Sequence, residues 1–106
     1  MTPIDPDFAV APQIRPEDVA AIAAQGFRAI LCNRPDDEET GQPAFAEIAA
    51  AAEAAGMPAA WVPVRSGMIT EQDVEDFRAA MAALPKPVFA YCRSGARCQT
   101  LRRLAG

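Results

Sequence analysis

Near the end of the chain a cysteine, Cys92, leaves the apolar run Pro87-Val-Phe-Ala-Tyr91 and leads into Arg93-Ser94-Gly95-Ala96-Arg97 and a helical pattern. A thiol at a strand end, before a glycine-containing loop that opens into a helix, faces unpaired backbone N–H groups. Those groups form a nest for negative charge, and together with a neighbouring guanidinium they can bring a cysteine pKa from about 8.5 to well below 7. Gly95 permits the close or left-handed turn that such a loop needs. The consequence is a nucleophile that requires no base. Two chemistries use such a thiolate, transfer of sulfane sulfur and hydrolysis of phosphate esters.

The two make different demands. Ester hydrolysis needs an arginine that clamps three oxygens and an acid that protonates the leaving group. Sulfur transfer needs a thiolate, a loop that stabilises the persulfide anion, and access for an acceptor thiol. Cys92 and Arg97 are therefore the candidate catalytic pair. Ser94 offers a hydroxyl to the sulfur, and Gly95 and Ala96 supply loop backbone. The candidate acids are Asp36, Asp37 and Asp73, but Asp73 is better explained as a helix cap and the run from Asp36 to Glu39 as a solvated loop. Arg34 and Arg65, at the ends of neighbouring strands, suit either substrate contact or structural ion pairing, Arg34 with Glu38 or Glu39. Cys98, one turn into the helix, and Cys32, at a strand end, are candidates to resolve a persulfide as a disulfide. Such pairing requires Cα atoms within about 7 Å.

The elements that position these residues follow from periodicity. Phe8-Ala-Val10 is a short strand, Pro16 opens a helix with Val19, Ile22 and Ala23 on one face, and Gly26 stops it. Phe27 to Cys32 is a buried strand, the acidic segment from Asn33 to Gln42 a loop, and Pro43 opens a helix with Phe45, Ile48, Ala49 and Ala52 inward. Pro58 to Val64 is a strand that Pro63 pushes toward a sheet edge. Thr70 and Asp73 form a capping box before the stripe Val74, Phe77, Met81 and Leu84, and Pro85-Lys-Pro87 ends that helix. The alternation predicts an α/β fold, a mainly parallel sheet with right-handed crossovers and helices on both faces. Functional sites in such folds lie beyond the carboxyl ends of the strands, where Cys32, Arg65 and Cys92 emerge.

Bulk properties narrow the function. A chain of 106 residues is most simply one domain, and 51% apolar residues without a long hydrophobic run describe a globular protein, not a membrane protein. A net charge of −4 argues against general nucleic-acid affinity, although Arg93, Arg97, Arg102 and Arg103 make the C-terminal end locally basic. The N-terminus lacks a secretory pattern, so a cytoplasmic location is expected. The 3 cysteines form no CxxC pair and read as free thiols, and there is no histidine at all. That excludes Ser-His-Asp and Cys-His catalysis, and neither a metal site nor an organic cofactor is expected.

Cys92-Arg-Ser-Gly-Ala-Arg97 resembles the active-site loop of rhodanese-type sulfurtransferases, in which four residues separate the cysteine from the closing arginine or threonine. Protein tyrosine phosphatases use five, and that register meets Cys98 here; Tyr91 also stands where most of them carry histidine. Arg93, which points outward in comparable loops, is placed to meet the anionic end of a donor. Over nearly its whole length the chain resembles the small phosphatase-like domain found alone or fused to metallo-β-lactamase-type hydrolases and sulfide:quinone-reductase-like flavoproteins. The resemblance runs through Gln13, Gly26-Phe27, Asn33-Arg34-Pro35-Asp36 with Glu38 or Glu39, Gly41-Gln42-Pro43, Ala54-Ala55-Gly56 and Pro63-Val64. It departs at Arg102, where members commonly carry tryptophan. Members are labelled both phosphatase and sulfur transferase, so the resemblance implies a tyrosine-phosphatase-like fold with a rhodanese-length loop. Three readings stay open. The first is a sulfurtransferase moving sulfur from thiosulfate or a small persulfide to a thiol. The others are a cysteine-dependent phosphatase, and a persulfide carrier or redox module docking on a partner oxidoreductase or persulfide dioxygenase.

Overall fold

A computed structural model describes residues 1–106. Its centre is a five-stranded sheet in the order β1-β2-β5-β3-β4, with β1 Thr2–Asp5, β2 Phe8–Ala11, β3 Ala29–Cys32, β4 Ala59–Trp61 and β5 Val88–Tyr91. Strands β2, β5, β3 and β4 run parallel, and only β1 pairs antiparallel, against β2. The register sets Ala11 and Cys32 on either side of Tyr91, and Trp61 beside Cys32, so the parallel strands end on one rim.

Side-chain alternation along the strands divides the core in two. Phe8, Val10, Ala29, Leu31, Val88, Ala90 and Cys92 face α3 (Glu71–Ala83) and α4 (Ala96–Ala105), packing on Phe77, Met81, Cys98 and Leu101. Ile30, Cys32, Phe89 and Tyr91 face α1 (Val19–Ala24) and α2 (Phe45–Ala54), packing on Val19, Ile22, Ile48 and Ala52. All four strands of the parallel part need helix cover on both faces, and two helices per face supply it. No helix is long and apolar enough to cross a membrane.

Most element ends lie near their expected places. Thr70 Oγ1 accepts from the Asp73 N–H at 3.1 Å while Asp73 Oδ2 accepts from the Thr70 N–H at 2.9 Å, so the capping box is formed. Three elements differ. Strand β1 has no counterpart among the expected strands: an edge strand tolerates Pro3, and an Asp5 carboxylate accepting from Asp7 N–H at 2.8 Å makes the turn that folds it onto β2. Pro16–Asp18 forms a 3-10 turn before α1 rather than its first α turn. The β4 pairing stops at Trp61, two residues short of Pro63, at the sheet edge as that proline requires. Arg102 reaches back to Asp5 at 3.0 Å and lies over the Phe8 ring at 5.2 Å, so cation–π packing joins α4 to the first two strands.

Candidate active site

The loop Cys92–Gly95 joins β5 to α4 at the carboxyl rim. The Cys92 N–H donates to Ala11 O at 3.3 Å and Arg93 O accepts from the Gln13 N–H at 3.3 Å, so the loop rests on the end of β2. Gly95 caps α4 with φ +94°. That left-handed turn directs its own N–H to Cys92 Sγ at 3.0 Å. The next N–H, that of Ala96, is taken by Ser94 Oγ at 3.3 Å. Arg97, expected in the loop, instead occupies the first turn of α4.

Cys92 is fully buried at the start of the loop whose Arg93, Ser94, Ala96 and Arg97 line a cleft together with Glu38 and Ser66; Cys92 itself is not part of that lining. Its thiol pKa is held down to about 5, first by a hydrogen bond from Cys98 and further by backbone N–H groups of residues 94, 97 and 98, which outweigh the cost of burial. Cys98 shows the opposite. Burial first, and then the neighbouring Cys92 charge, raise its pKa well above the usual thiol value, so it stays protonated and donates.

Arg97 is engaged from one side. Its Nη1 donates to Glu38 Oε2 at 2.8 Å and to Val64 O at 3.0 Å, and its Nη2 donates to Glu38 Oε1 at 2.8 Å. Glu38 Oε1 also accepts from Arg34 Nε at 2.9 Å. Arg34, 1% exposed, donates further to Gln13 Oε1 at 3.0 Å and to Glu39 at 3.5 Å. The hydrogen bond from Arg97 holds Glu38 at about 2, with Arg34 assisting against partial burial. Glu38 thus bridges two cations, which favour its ionised form. Reciprocally, Glu38 raises the Arg97 pKa.

The other candidates lie elsewhere. Asp36 Oδ1 accepts from the Phe45 N–H at 2.8 Å and so caps α2, Asp73 caps α3, and Asp37 is exposed at φ +62° in the loop; none lines the cleft. Arg34 is enclosed by its ion pairs and does not line the cleft either. Arg65 is exposed, and its neighbour Ser66 takes the place at the cleft. Arg93 is 68% exposed on the cleft wall, 3.8 Å from Glu39. Cys32 packs in the layer of Tyr91 and α2, across the sheet from the layer of Cys92 and Cys98, with burial pushing its thiol up to about 11. The sheet between them removes Cys32 as a resolving partner, whereas Cys98 adjoins Cys92. The resemblance marks Gln13, Glu38 and Val64 without giving any of them contact with Arg97 or a place at the cleft, and Ser66 is not marked at all. Only chain positions far apart in sequence bring them there. No group of three histidine, cysteine or carboxylate side chains is arranged to hold a metal ion.

The family model for the phosphatase-like domain of beta-lactamase hydrolase-like protein matches residues 1–105. Beta-lactamase hydrolase-like proteins of Agrobacterium fabrum and Xylella fastidiosa are 42% identical over 98 residues and 35% identical over 102 residues. These alignments take in 92% and 96% of this chain but only 23% and 24% of those proteins, so the chain spans about a quarter of their length. Among solved structures, a Neisseria meningitidis protein provisionally described as a phosphatase is 40% identical with a TM-score of 0.87, covering 96% of this chain and 75% of that one. A Shewanella putrefaciens structure, described in the same provisional way, shares the fold at 21% identity with a TM-score of 0.83, covering 99% of this chain and 65% of that one.

Proposed function

This chain belongs to the phosphatase-like domain family of beta-lactamase hydrolase-like proteins, and we propose that it runs sulfur transfer on that phosphatase-like fold. In this reading Cys92 attacks the outer sulfur of a small donor, carries it as a persulfide, and yields it to a thiol acceptor. The observation that carries the proposal is the state of Glu38. It is the one carboxylate lining the cleft, and hydrogen bonds from two guanidinium groups favour its ionised form, which argues against its protonating a departing alkoxide or phenoxide.

Sulfur transfer needs no such proton. With thiosulfate, the Cys92 thiolate forms a bond to the terminal sulfur while the existing S–S bond breaks and its electron pair leaves with sulfite. The new persulfide anion takes over the Gly95 N–H that already points at Sγ at 3.0 Å and the remaining Arg97 donors. With an organic persulfide the leaving group is a thiolate, which takes the proton the donor brought. Burial of Cys92 beneath exposed Arg93 and Ser94 favours a narrow outer sulfur over a bulky ester.

Incubation with thiosulfate or a small persulfide followed by intact-protein mass spectrometry should add one sulfur atom, absent in Cys92→Ser, with turnover when cyanide or glutathione is the acceptor. Loading without turnover would identify a carrier that waits for a partner oxidoreductase or persulfide dioxygenase. A cysteine-dependent phosphatase is the second reading, favoured by the 40% identical solved relative provisionally described as one. Rapid aryl-phosphate hydrolysis with no sulfur adduct would replace the first reading with the second.

A further inference from the structure

We propose that Glu38 sets the charge selectivity of the cleft: beside Arg97 its negative charge favours singly charged sulfane-sulfur donors, organic persulfides and thiosulfonates, over doubly charged ones such as thiosulfate, which react more slowly. The inference rests on the sulfur-transfer reading and narrows its donor class.

The charges around the sulfur already cancel. The thiolate and Glu38 are matched by Arg34 and Arg97; Glu38 accepts from both guanidinium groups, and Arg97 stands in the first turn of the helix that follows the Cys92 loop. Arg93, the remaining cation on the wall, faces Glu39 at 3.8 Å. Part of the donor set that would otherwise hold an oxyanion is also committed. Of the five N–H bonds of a guanidinium, those on Arg97 Nη1 go to Glu38 and Val64 and one on Nη2 goes to Glu38. That leaves Nε–H and one Nη2–H for the substrate. At the start of α4, the Gly95 N–H points to Sγ and the Ala96 N–H to Ser94 Oγ. A second negative charge on the incoming donor therefore meets Glu38 in an open cleft whose nearby cations are already paired, where water and salt reduce the repulsion without removing it.

Methanethiosulfonate and thiosulfate test this cleanly, because they present the same terminal sulfur on a tetrahedral sulfonyl centre and differ by one charge. Attack on the first forms the Cys92 persulfide and releases methanesulfinate, attack on the second releases sulfite, and neither step moves a proton. After each donor's reactivity toward free glutathione is divided out, kcat/KM with cyanide as acceptor should favour methanethiosulfonate by about tenfold or more. Glu38→Gln, which removes the charge and keeps the shape, should collapse that ratio through a lower KM for thiosulfate, while Glu38→Asp should preserve the preference. A wild-type ratio near one, or an unchanged ratio in Glu38→Gln, overturns the proposal. Binding alone gives a second readout that needs no sulfur transfer: methanesulfonate should protect Cys92 from iodoacetamide at lower concentration than sulfate does. If Glu38→Gln does not fold, that wild-type protection order decides, and sulfate protecting as well as methanesulfonate overturns the assignment. Absence of any sulfur adduct, by contrast, would count against the sulfur-transfer reading itself.

Discussion

A thiol removed from water normally becomes a weaker acid, because burial penalises the charged form. Cys32 and Cys98 follow this rule, and Cys92 departs from it only because donors converge on its sulfur. The largest effect comes from the neighbouring Cys98 thiol, which burial keeps protonated, with the backbone N–H groups of the loop and helix start behind it. In the wild type, the pH dependence of Cys92 alkylation by iodoacetamide should have its midpoint near 5. Cys98→Ala removes a donor to the thiolate and should move that midpoint upward, while Cys98→Ser, which keeps an O–H, should move it less. The loop that favours a thiolate is legible in the sequence, since Cys92, Gly95 and Arg97 are neighbours in the chain. The source of its acidity is only half legible: Cys98 invites attention as a disulfide partner, and its service as a proton donor depends on side-chain packing. Glu38 is out of reach as the partner of Arg97, because 59 positions separate them and the pair exists only once α4 lies against the loop after β3.

The β5–loop–α4 unit owes its shape to one backbone angle. At Gly95 an added Cβ would sit 3.5 Å from the Ala11 backbone, an ordinary contact, so the penalty for a side chain there comes from φ +94° and not from a clash. Gly95→Ala should therefore fold, with stability lowered by about 1–2 kcal/mol, read as a lower midpoint in urea denaturation. If the loop relaxes that strain by rotating, its N–H swings away from Sγ and the alkylation midpoint should rise as well. Elements whose signals are local are readable from the order of residues: the Thr70–Asp73 box, the Phe77–Met81–Leu84 stripe and the proline break after it all depend on near neighbours. Strand β1 is not, because Thr-Pro-Ile-Asp has no strand pattern of its own and becomes one only by pairing with β2. The candidate acids fail for a related reason. Asp36 and Asp73 sit where helix N-termini need caps, and that local demand claims their carboxylates.

Across the molecule, the Gln13–Arg34–Glu38–Arg97 chain ties β2, the loop after β3 and α4 into one rim. Arg34 is too buried to lose its partners without cost, so the network stabilises the fold as well as the site. Glu38 titrates at about 2 in the folded protein against its ordinary 4.5. Its contribution to stability is therefore complete above about pH 4.5 and is lost as pH falls toward 2. Melting temperature should drop across that window in the wild type, while Glu38→Gln should be less stable by about 1–3 kcal/mol at pH 7 and flatter with acid. The overall α/β plan is legible because strand and helix periods alternate along the chain, whereas the division of cysteines between sheet faces needs the register. The two outer strands carry a consequence of their own. Strand β1 contains Pro3, and β4 is followed closely by Pro63, so both flanks of the sheet are poor templates for a further strand. A sheet blunted in this way can be strung beside other folded units without strand exchange, which suits a module whose curated relatives are about four times as long.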